Sequence, residues 1–258
     1  MLAWTLAATF IVAACSPAQS TVTAAPSPQT PSNGAAPIRV LMMTATAGFR
    51  HESIATARQV VATLATTGGF TVTATEEVSA LDGANLANYD VVFFALTSGE
   101  LPLTADQKGA LLNFVSRGGG FLGVHSATDT LYDWPEYGRL VGAYFKEHPW
   151  TEQATVIVEN PSHPATEGLG GQFSLLEEFY TFRENPRPRV QVLLRLDASS
   201  VRSSGDFPLA WTQSYDMGRV YYNALGHFPQ TWQDQRFQRQ ITAALQWLAP
   251  AVSRERRR

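Results

Sequence analysis

Between residues 38 and 250 the chain switches repeatedly between two hydrophobic periods. Ile38–Met43 (IRVLMM) is a continuous apolar run, the pattern of a strand buried on both faces. Ser53–Thr66 then places Ile54, Ala57, Val61 and Leu64 at helical spacing, and Gly68-Gly69 stops it. Phe70–Thr75 alternates and is rich in β-branched residues, predicting a second strand nearer an edge. Asp90–Leu96 is a third, fully apolar strand. Thr104 is placed to cap a helix running to about Arg117, with Leu111, Leu112 and Val115 on one face. Gly118-Gly119-Gly120 ends that helix, and Phe121–Val124 is a short fourth strand. Strand and helix in alternation predict an α/β fold: a doubly wound, mostly parallel sheet with helices on both faces.

The second half is less regular. Ala154–Val158, Val190–Leu196, Leu209–Ser214 and Arg219–Leu225 read as strands, and Gln233–Leu248 reads as a closing helix with Phe237, Ile241, Leu245 and Leu248 inward. The Pro-rich stretch 185–188 marks a loop, and there is no internal repeat. One domain over about 38–250 accounts for the pattern.

Charge changes the picture at the ends. No charged side chain precedes Arg39. Residues 1–15 carry an apolar run, 2–14, that is short for a bilayer span but suits a secretion signal. The string Val12-Ala13-Ala14-Cys15 resembles a bacterial lipobox, which implies lipidation of Cys15 and an exported, membrane-anchored protein. A buried N-terminal helix with an incidental cysteine is the competing reading. Residues 16–37 are almost wholly Ala, Pro, Ser, Thr and Gln, too polar and small to form a core, and read as a disordered tether. Residues 251–258 end in a short basic tail.

Composition removes several kinds of chemistry. With 45% apolar and 16% charged residues the chain is built for a core, and a net charge of −3 argues against a nucleic-acid partner. A single cysteine excludes an intramolecular disulfide and a multi-cysteine metal site.

The chemistry therefore falls to histidine. Three of the five follow predicted strands: His51 after the first, His125 after the fourth and His227 after the last. In open parallel sheets the ligand crevice lies beyond the carboxyl ends of the strands, so at least His51 and His125 should converge. Arg50 and Glu52 flank His51, and Asp129 follows His125; a carboxylate near an imidazole fixes its tautomer and tunes it for proton transfer. Three imidazoles with a carboxylate such as Glu178 could instead hold a divalent metal, although no tight His-x-x-x-His spacing marks one. Both readings stay open.

Competing motifs fail. Gly123-Val124-His125-Ser126-Ala127 has the outline of a nucleophile elbow, but His125 occupies the nucleophile position and Ser126 falls one residue late. Gly118-Gly119-Gly120 precedes a strand rather than a helix, which rules out a phosphate-binding loop. His163 lies in a loop between prolines, and Leu176–Phe182 pairs acids with aromatics, as an amphipathic strand or as part of a site. Trp134, Tyr137, Tyr144, Trp150, Tyr180 and Trp232 could include sugar-stacking rings, although most such side chains are core or rim.

Several strings resemble the trehalose-utilisation, or ThuA-like, family: Gly48–Ser53, Gly118–Thr130, Tyr144-Phe145 with His148-Pro149, and His163–Thr166. The resemblance continues through Glu177–Tyr180, Leu209–Trp211, Gly218–Tyr222 and Leu225–His227, in order over nearly all of 38–249. It implies a single flavodoxin-like domain similar to class I glutamine amidotransferases but without their cysteine nucleophile. It also implies a link to sugar catabolism, often beside oxidoreductases that make 3-keto sugars. Two positions depart from the family pattern: Phe207 stands where a histidine is expected, and Glu177 where an aspartate is usual.

The reading that follows is an enzyme acting by hydrolysis, elimination or isomerisation on a keto-sugar or glycoside. His125 would be the acid/base, assisted by His51 and oriented by Asp129, with His227, Glu178, Tyr180, Arg50 and Ser126 binding substrate. No cofactor is assigned, and a divalent metal on His51, His125 and His227 is the alternative. Expected partners are the sugar, a sugar oxidoreductase and, through the lipid anchor, a membrane. The rival is a non-catalytic, membrane-tethered sugar-binding or scaffolding lipoprotein.

Overall fold

The continuous apolar runs become the central strands of one sheet. The structure is a computed structural model that describes residues 1–4 and 36–249. The chain divides into two units, Met1–Gly34 and Ala35–Arg258; in the first, only residues 1–4 are described, without regular secondary structure. Cys15, most of the expected leader and tether, and the basic tail lie outside the described residues. Among the described residues no helix is long and apolar enough to cross a membrane.

In the second unit the chain forms β1 (Ile38–Met43), α1 (Ser53–Ala65), β2 (Phe70–Thr75), α2 (Gly83–Leu86), β3 (Val91–Ala95), α3 (Ala105–Ser116), β4 (Gly120–Val124) and α4 (Pro135–Val141). There follow β5 (Phe145–Val158), β6 (Gln172–Phe182), β7 (Gln191–Leu196), β8 (Pro208–Tyr215), β9 (Gly218–Asn223), α5 (Pro229–Gln233) and α6 (Gln235–Leu248). Thr104 does cap α3, through a reciprocal pair: its hydroxyl accepts from Gln107 N at 3.2 Å, and Gln107 Oε1 accepts from Thr104 N at 2.9 Å. The closing helix is divided where Asp234 is extended (φ −67°, ψ 122°) and caps α6 by accepting from Arg236 N.

The nine strands run β2-β1-β3-β4-β9-β8-β7-β5-β6. The first five in space pair parallel, in the order of a flavodoxin-like sheet. The remaining pairs, from β9 across to β6, are antiparallel. The sheet is thus parallel through its doubly wound half and antiparallel through an extension that the apolar runs alone do not announce. β5 begins at Phe145 rather than Ala154 because its first half is polar and exposed, with register shifts at Phe145/Glu147 and Glu147/Trp150.

Helices cover both faces of the central strands. A Cβ on Gly120 would meet Leu248 of α6 at 2.8 Å, whereas one on Gly123 would meet Ala127 at 3.2 Å and Val141 of α4 at 3.4 Å. Residues three apart on a strand point to opposite faces, so α6 and α4 pack on opposite sides. Both glycines let these neighbours approach closely. All five residues of β3 and of β4 are buried, which matches their unbroken apolar sequence.

Candidate functional site

Beyond the carboxyl ends of β1, β4 and β9, three imidazoles meet. The ring centroids of His51 and His125 are 4.7 Å apart, those of His51 and His227 5.2 Å, and those of His125 and His227 5.4 Å. Each is fixed by its own backbone context. His125 ends β4 with φ +53°, a left-handed conformation that costs a residue with a Cβ about 1–3 kcal/mol. Tyr222 holds it there, donating to the His125 carbonyl at 2.7 Å. The ring's Nδ1 lies 2.7 Å from the Ala224 carbonyl, which can only accept. Nδ1 therefore carries the proton, and Nε2 presents its lone pair to the centre.

His51 sits at the start of α1, where Ile54 N donates to its carbonyl. Two residues on, Ser53 donates to the Gly226 carbonyl at 3.2 Å and ties this end to the His227 loop. The carboxylate comes from the antiparallel extension. Glu178 and Tyr180 share one face of β6, two residues apart. Glu178 Oε2 lies 3.4 Å from His125 Nε2 and 3.1 Å from His227 Nδ1, and Oε1 lies 3.3 Å from His148 Nδ1. The Tyr180 hydroxyl is 2.9 Å from His125 Nε2 and donates to it. The contact between His227 and Glu178 is an electrostatic one, because His227 Nδ1 is buried with no hydrogen-bond partner among the described residues.

Burial first, then the neighbouring His125 and His227, push His51 down to about 3, so it stays neutral. Burial alone would raise Glu178, but the imidazoles of His125 and His227 hold it well below the usual carboxylate range. Burial opposes a charge on His227 as well, yet Glu178 outweighs this and raises it.

These side chains have the geometry of a metal-ligand set. One ligand atom from each of His51, His125, Glu178 and His227 lies within 4.8 Å of all the others. Four N/O ligands at ~2.0–2.2 Å around one ion stand about 3.3–3.5 Å apart, close to the 3.1 and 3.4 Å Glu178–imidazole contacts. A neutral His51, an ionised Glu178 and a His125 tautomer locked by Ala224 are the protonation states that ligation needs. Imidazole and carboxylate donors without thiolate suit a divalent first-row metal.

Glu177, adjacent in sequence, does not face the centre but supports it. It is fully buried and accepts four hydrogen bonds: Glu178 N at 2.9 Å, Gly226 N at 2.9 Å, His227 N at 3.1 Å and Thr231 Oγ1 at 2.7 Å. One carboxylate thus fixes the backbone of two site residues that lie about fifty positions apart in sequence.

Of the residues expected from the sequence, the structure brings together His51, His125, His227, Glu178 and Tyr180. Ser126 is buried with Oγ 3.4 Å from His51 Nδ1. Asp129 does not orient His125, whose Nδ1 is taken by Ala224; it accepts instead from Tyr132 at 2.7 Å. Burial raises the Asp129 carboxyl, with Tyr132 opposing. Arg50 is exposed and paired with Glu76 at 2.8 Å rather than turned to the cluster. His163 lies elsewhere, its ring 5.0 Å from Trp247 of α6. Trp134, Tyr137 and Trp232 are core side chains, and Tyr144 hydrogen-bonds the carbonyls of Leu131 and Trp134. Trp150 packs edge-on against Phe207, the position where a histidine was expected. His148 and Glu177 were not among the expected site residues; the only signals were their places in His148-Pro149 and in the acidic pair before Phe179-Tyr180. A groove of about 960 Å³ lies at the opposite strand ends beside Arg39, Asp90 and Gly118 and contains none of the clustered side chains.

The comparisons with known proteins bear on the family and the fold. The family model described as trehalose utilisation, ThuA, matches residues 39–248. A solved ThuA-like protein from Bacteroides uniformis is 25% identical with a TM-score of 0.71, covering 85% of this chain and 95% of its own. Another, from Parabacteroides merdae, is 20% identical with a TM-score of 0.69, covering 83% and 91%, and bears on the fold alone. A β-galactosidase from Bacillus circulans shares the fold over 84% of this chain but only 32% of its own, at 15% identity and a TM-score of 0.55. No curated protein matches the chain.

Proposed function

Because the chain belongs to the trehalose-utilisation (ThuA) family, we propose that it is a metal-dependent enzyme of carbohydrate breakdown. Family membership supports the role in carbohydrate utilisation. The observation that supports catalysis is the set of buried His51, His125 and Glu178 with half-buried His227, whose four ligand atoms lie within 4.8 Å. Buried imidazoles packed ring to ring around an ionised carboxylate gain little as structure, since apolar side chains would fill the space at lower desolvation cost.

The reaction that fits is elimination or hydrolysis at a keto-sugar or glycoside. A divalent ion held by these four residues supplies Lewis acidity toward a sugar carbonyl. Beside that carbonyl the C–H proton is acidic and can be taken by a base. Its electron pair forms a C=C bond as the bond to the neighbouring glycosidic oxygen breaks, and the departing oxygen takes up a proton. His148, half exposed at the mouth and 3.3 Å from Glu178, is the group placed to exchange protons between substrate and solvent. The Ala224 carbonyl holds His125 in one orientation with Nε2 turned to the centre, so the centre does not reorganise during turnover.

A metal-free acid–base site is the second reading, favoured by the continuous chain from Tyr180 through His125 to Ala224. One experiment separates the two: metal content of the purified protein, together with turnover of a methyl 3-keto-glucoside before and after chelation. The metal reading expects about one divalent ion per chain. It also expects loss of at least roughly a hundredfold in turnover on chelation and in Glu178→Ala. Full turnover by the chelated protein, abolished in His125→Ala, would establish the acid–base reading instead.

A further inference from the structure

The mouth of the His/Glu cluster carries exposed aromatic surface that the fold does not need. Phe49 is 63% exposed, although it is only two residues from the buried His51. Among the described residues of the second unit the other exposed large apolar side chains are Leu176, on the edge strand β6, and Met217, in the turn between β8 and β9. Single exposed apolar side chains are ordinary on protein surfaces; what distinguishes Phe49 is where it is held. Its ring stands edge-on to His51, with centroids 4.8 Å apart at 80°. Phe228 repeats the arrangement on His227, at 4.6 Å and 84°, and is half-buried.

The backbone that displays Phe49 is fixed. Ala47 N and Gly48 N both donate to the Ser98 carbonyl, at 2.8 and 3.3 Å, and Ser98 Oγ donates to the Phe49 carbonyl at 2.6 Å. Gly48 packs so closely on Gly99 that a Cβ would come within 3.2 Å of its backbone nitrogen. Arg50, on the far side, is anchored by Glu76. Phe49 is therefore an apolar ring on a rigid support, projecting into solvent beside a polar, ionised floor.

We propose that Phe49, with Phe228, forms the aromatic wall of a pyranose-binding subsite at the mouth of the His/Glu centre. This rests on the carbohydrate-directed reading of that centre and specifies its substrate class. A pyranose with equatorial hydroxyls has apolar C–H faces and a polar rim. One face covers Phe49 while the rim reaches Glu178, His148 and the imidazoles. The exposed wall is one or two rings wide, too little for a lipid chain or a protein partner, and its floor is too polar for either. An axial hydroxyl on the stacked face would separate the ring from Phe49.

The test is calorimetric binding of methyl β-D-glucopyranoside, and of its epimers with one axial hydroxyl, to the full chain and to Phe49→Ala and Phe49→Trp. Metal content and melting temperature are measured alongside. Phe49→Ala should bind the glucoside about tenfold more weakly, and Phe49→Trp should restore binding. Metal content should be unchanged, because Phe49 is not among the ligand atoms, and the epimers should bind more weakly than the glucoside. Equal binding by wild type and Phe49→Ala, or a metal-loaded wild type that binds no pyranoside, overturns the subsite while leaving the metal reading intact. A wild type that stacks the glucoside on Phe49 but never holds a metal overturns the metal reading and leaves the subsite standing.

Discussion

The two halves of the sheet contribute to the site in different ways. The parallel half, β2-β1-β3-β4-β9, provides His51, His125 and His227 from the ends of its strands, where an open α/β sheet places its ligands. The antiparallel extension provides Glu178, Tyr180 and His148 from the β5–β6 hairpin, although β6 is the edge strand farthest from β4 in pairing order. The hairpin reaches back over the sheet: Phe182 at its end stands edge-on to Trp211 of β8 at 5.0 Å and to Tyr222 of β9 at 6.0 Å. The difference teaches that the parallel half makes a pocket of imidazoles and the extension gives it a charge. Neither is a metal site or an acid–base site alone.

If that division is right, the connection between the halves is the most sensitive point short of the ligands. Glu177 of the extension holds the backbone of Gly226 and His227, which follow β9. In Glu177→Gln one acceptor becomes an amide donor facing donors, leaving a buried N–H without a partner, at about 1–3 kcal/mol. The expected result is a folded protein with metal affinity reduced roughly 10- to 100-fold, as for groups that orient ligands. Competition with a chromophoric chelator measures it. Unchanged affinity would mean that His227 is placed by the parallel half alone. Glu177→Asp keeps a carboxylate but shortens its reach. It should recover part of the affinity if the carboxylate rather than its exact position dominates.

A smaller effect separates the parallel half's own groups. Asp129 was expected to orient His125, but the Ala224 carbonyl does so at 2.7 Å, and Asp129 bonds Tyr132. Asp129→Asn keeps an acceptor for the Tyr132 hydroxyl. Turnover of the methyl 3-keto-glucoside should change by only about two- to fivefold, well short of the 10²–10⁴-fold expected of a general acid–base group. A loss of a hundredfold or more would restore Asp129 to the reaction.

This contrast also explains what could be read from the chain. β1, β3 and β4 are legible because burial on both faces forces unbroken apolar runs, as in VVFFA of β3, while β2 shows by its β-branched alternation and the helices by their spacing. One topological rule placed His51 and His125 together, and His227 joins them because it follows β9, the parallel neighbour of β4. The extension was less legible because half of β5 is exposed and carries Lys146, Glu147 and His148, which obey no burial pattern. Glu178 and Tyr180 could be read only as a polar pair two apart on an amphipathic strand. Glu177 hides for a different reason. Its partners are backbone N–H groups of Glu178, Gly226 and His227, which leave no trace in residue identity. The same holds for Ala224, which acts through its carbonyl.

The weakest test concerns the seam between the halves rather than the site. His163, in the segment between β5 and β6, packs on Trp247 of α6 and stacks at 6.4 Å on Tyr221 of β9. Its Nδ1 accepts from Ala165 N at 3.1 Å, so Nε2 carries the proton, buried and without a hydrogen-bond partner among the described residues. Burial lowers its pKa from the ordinary imidazole value. Below pH ~6.5 the unfolded chain therefore binds a proton that the folded chain resists, and stability falls as pH falls. Above that pH the contribution is complete and flat. Asn at this position can still accept from Ala165 N through its side-chain oxygen but cannot titrate. His163→Asn should melt lower than wild type at pH 7.5, through lost packing on Trp247. Its melting temperature should then drop less than that of wild type between pH 7 and pH 5. Parallel slopes in the two proteins would show that His163 takes up its proton without disturbing the seam.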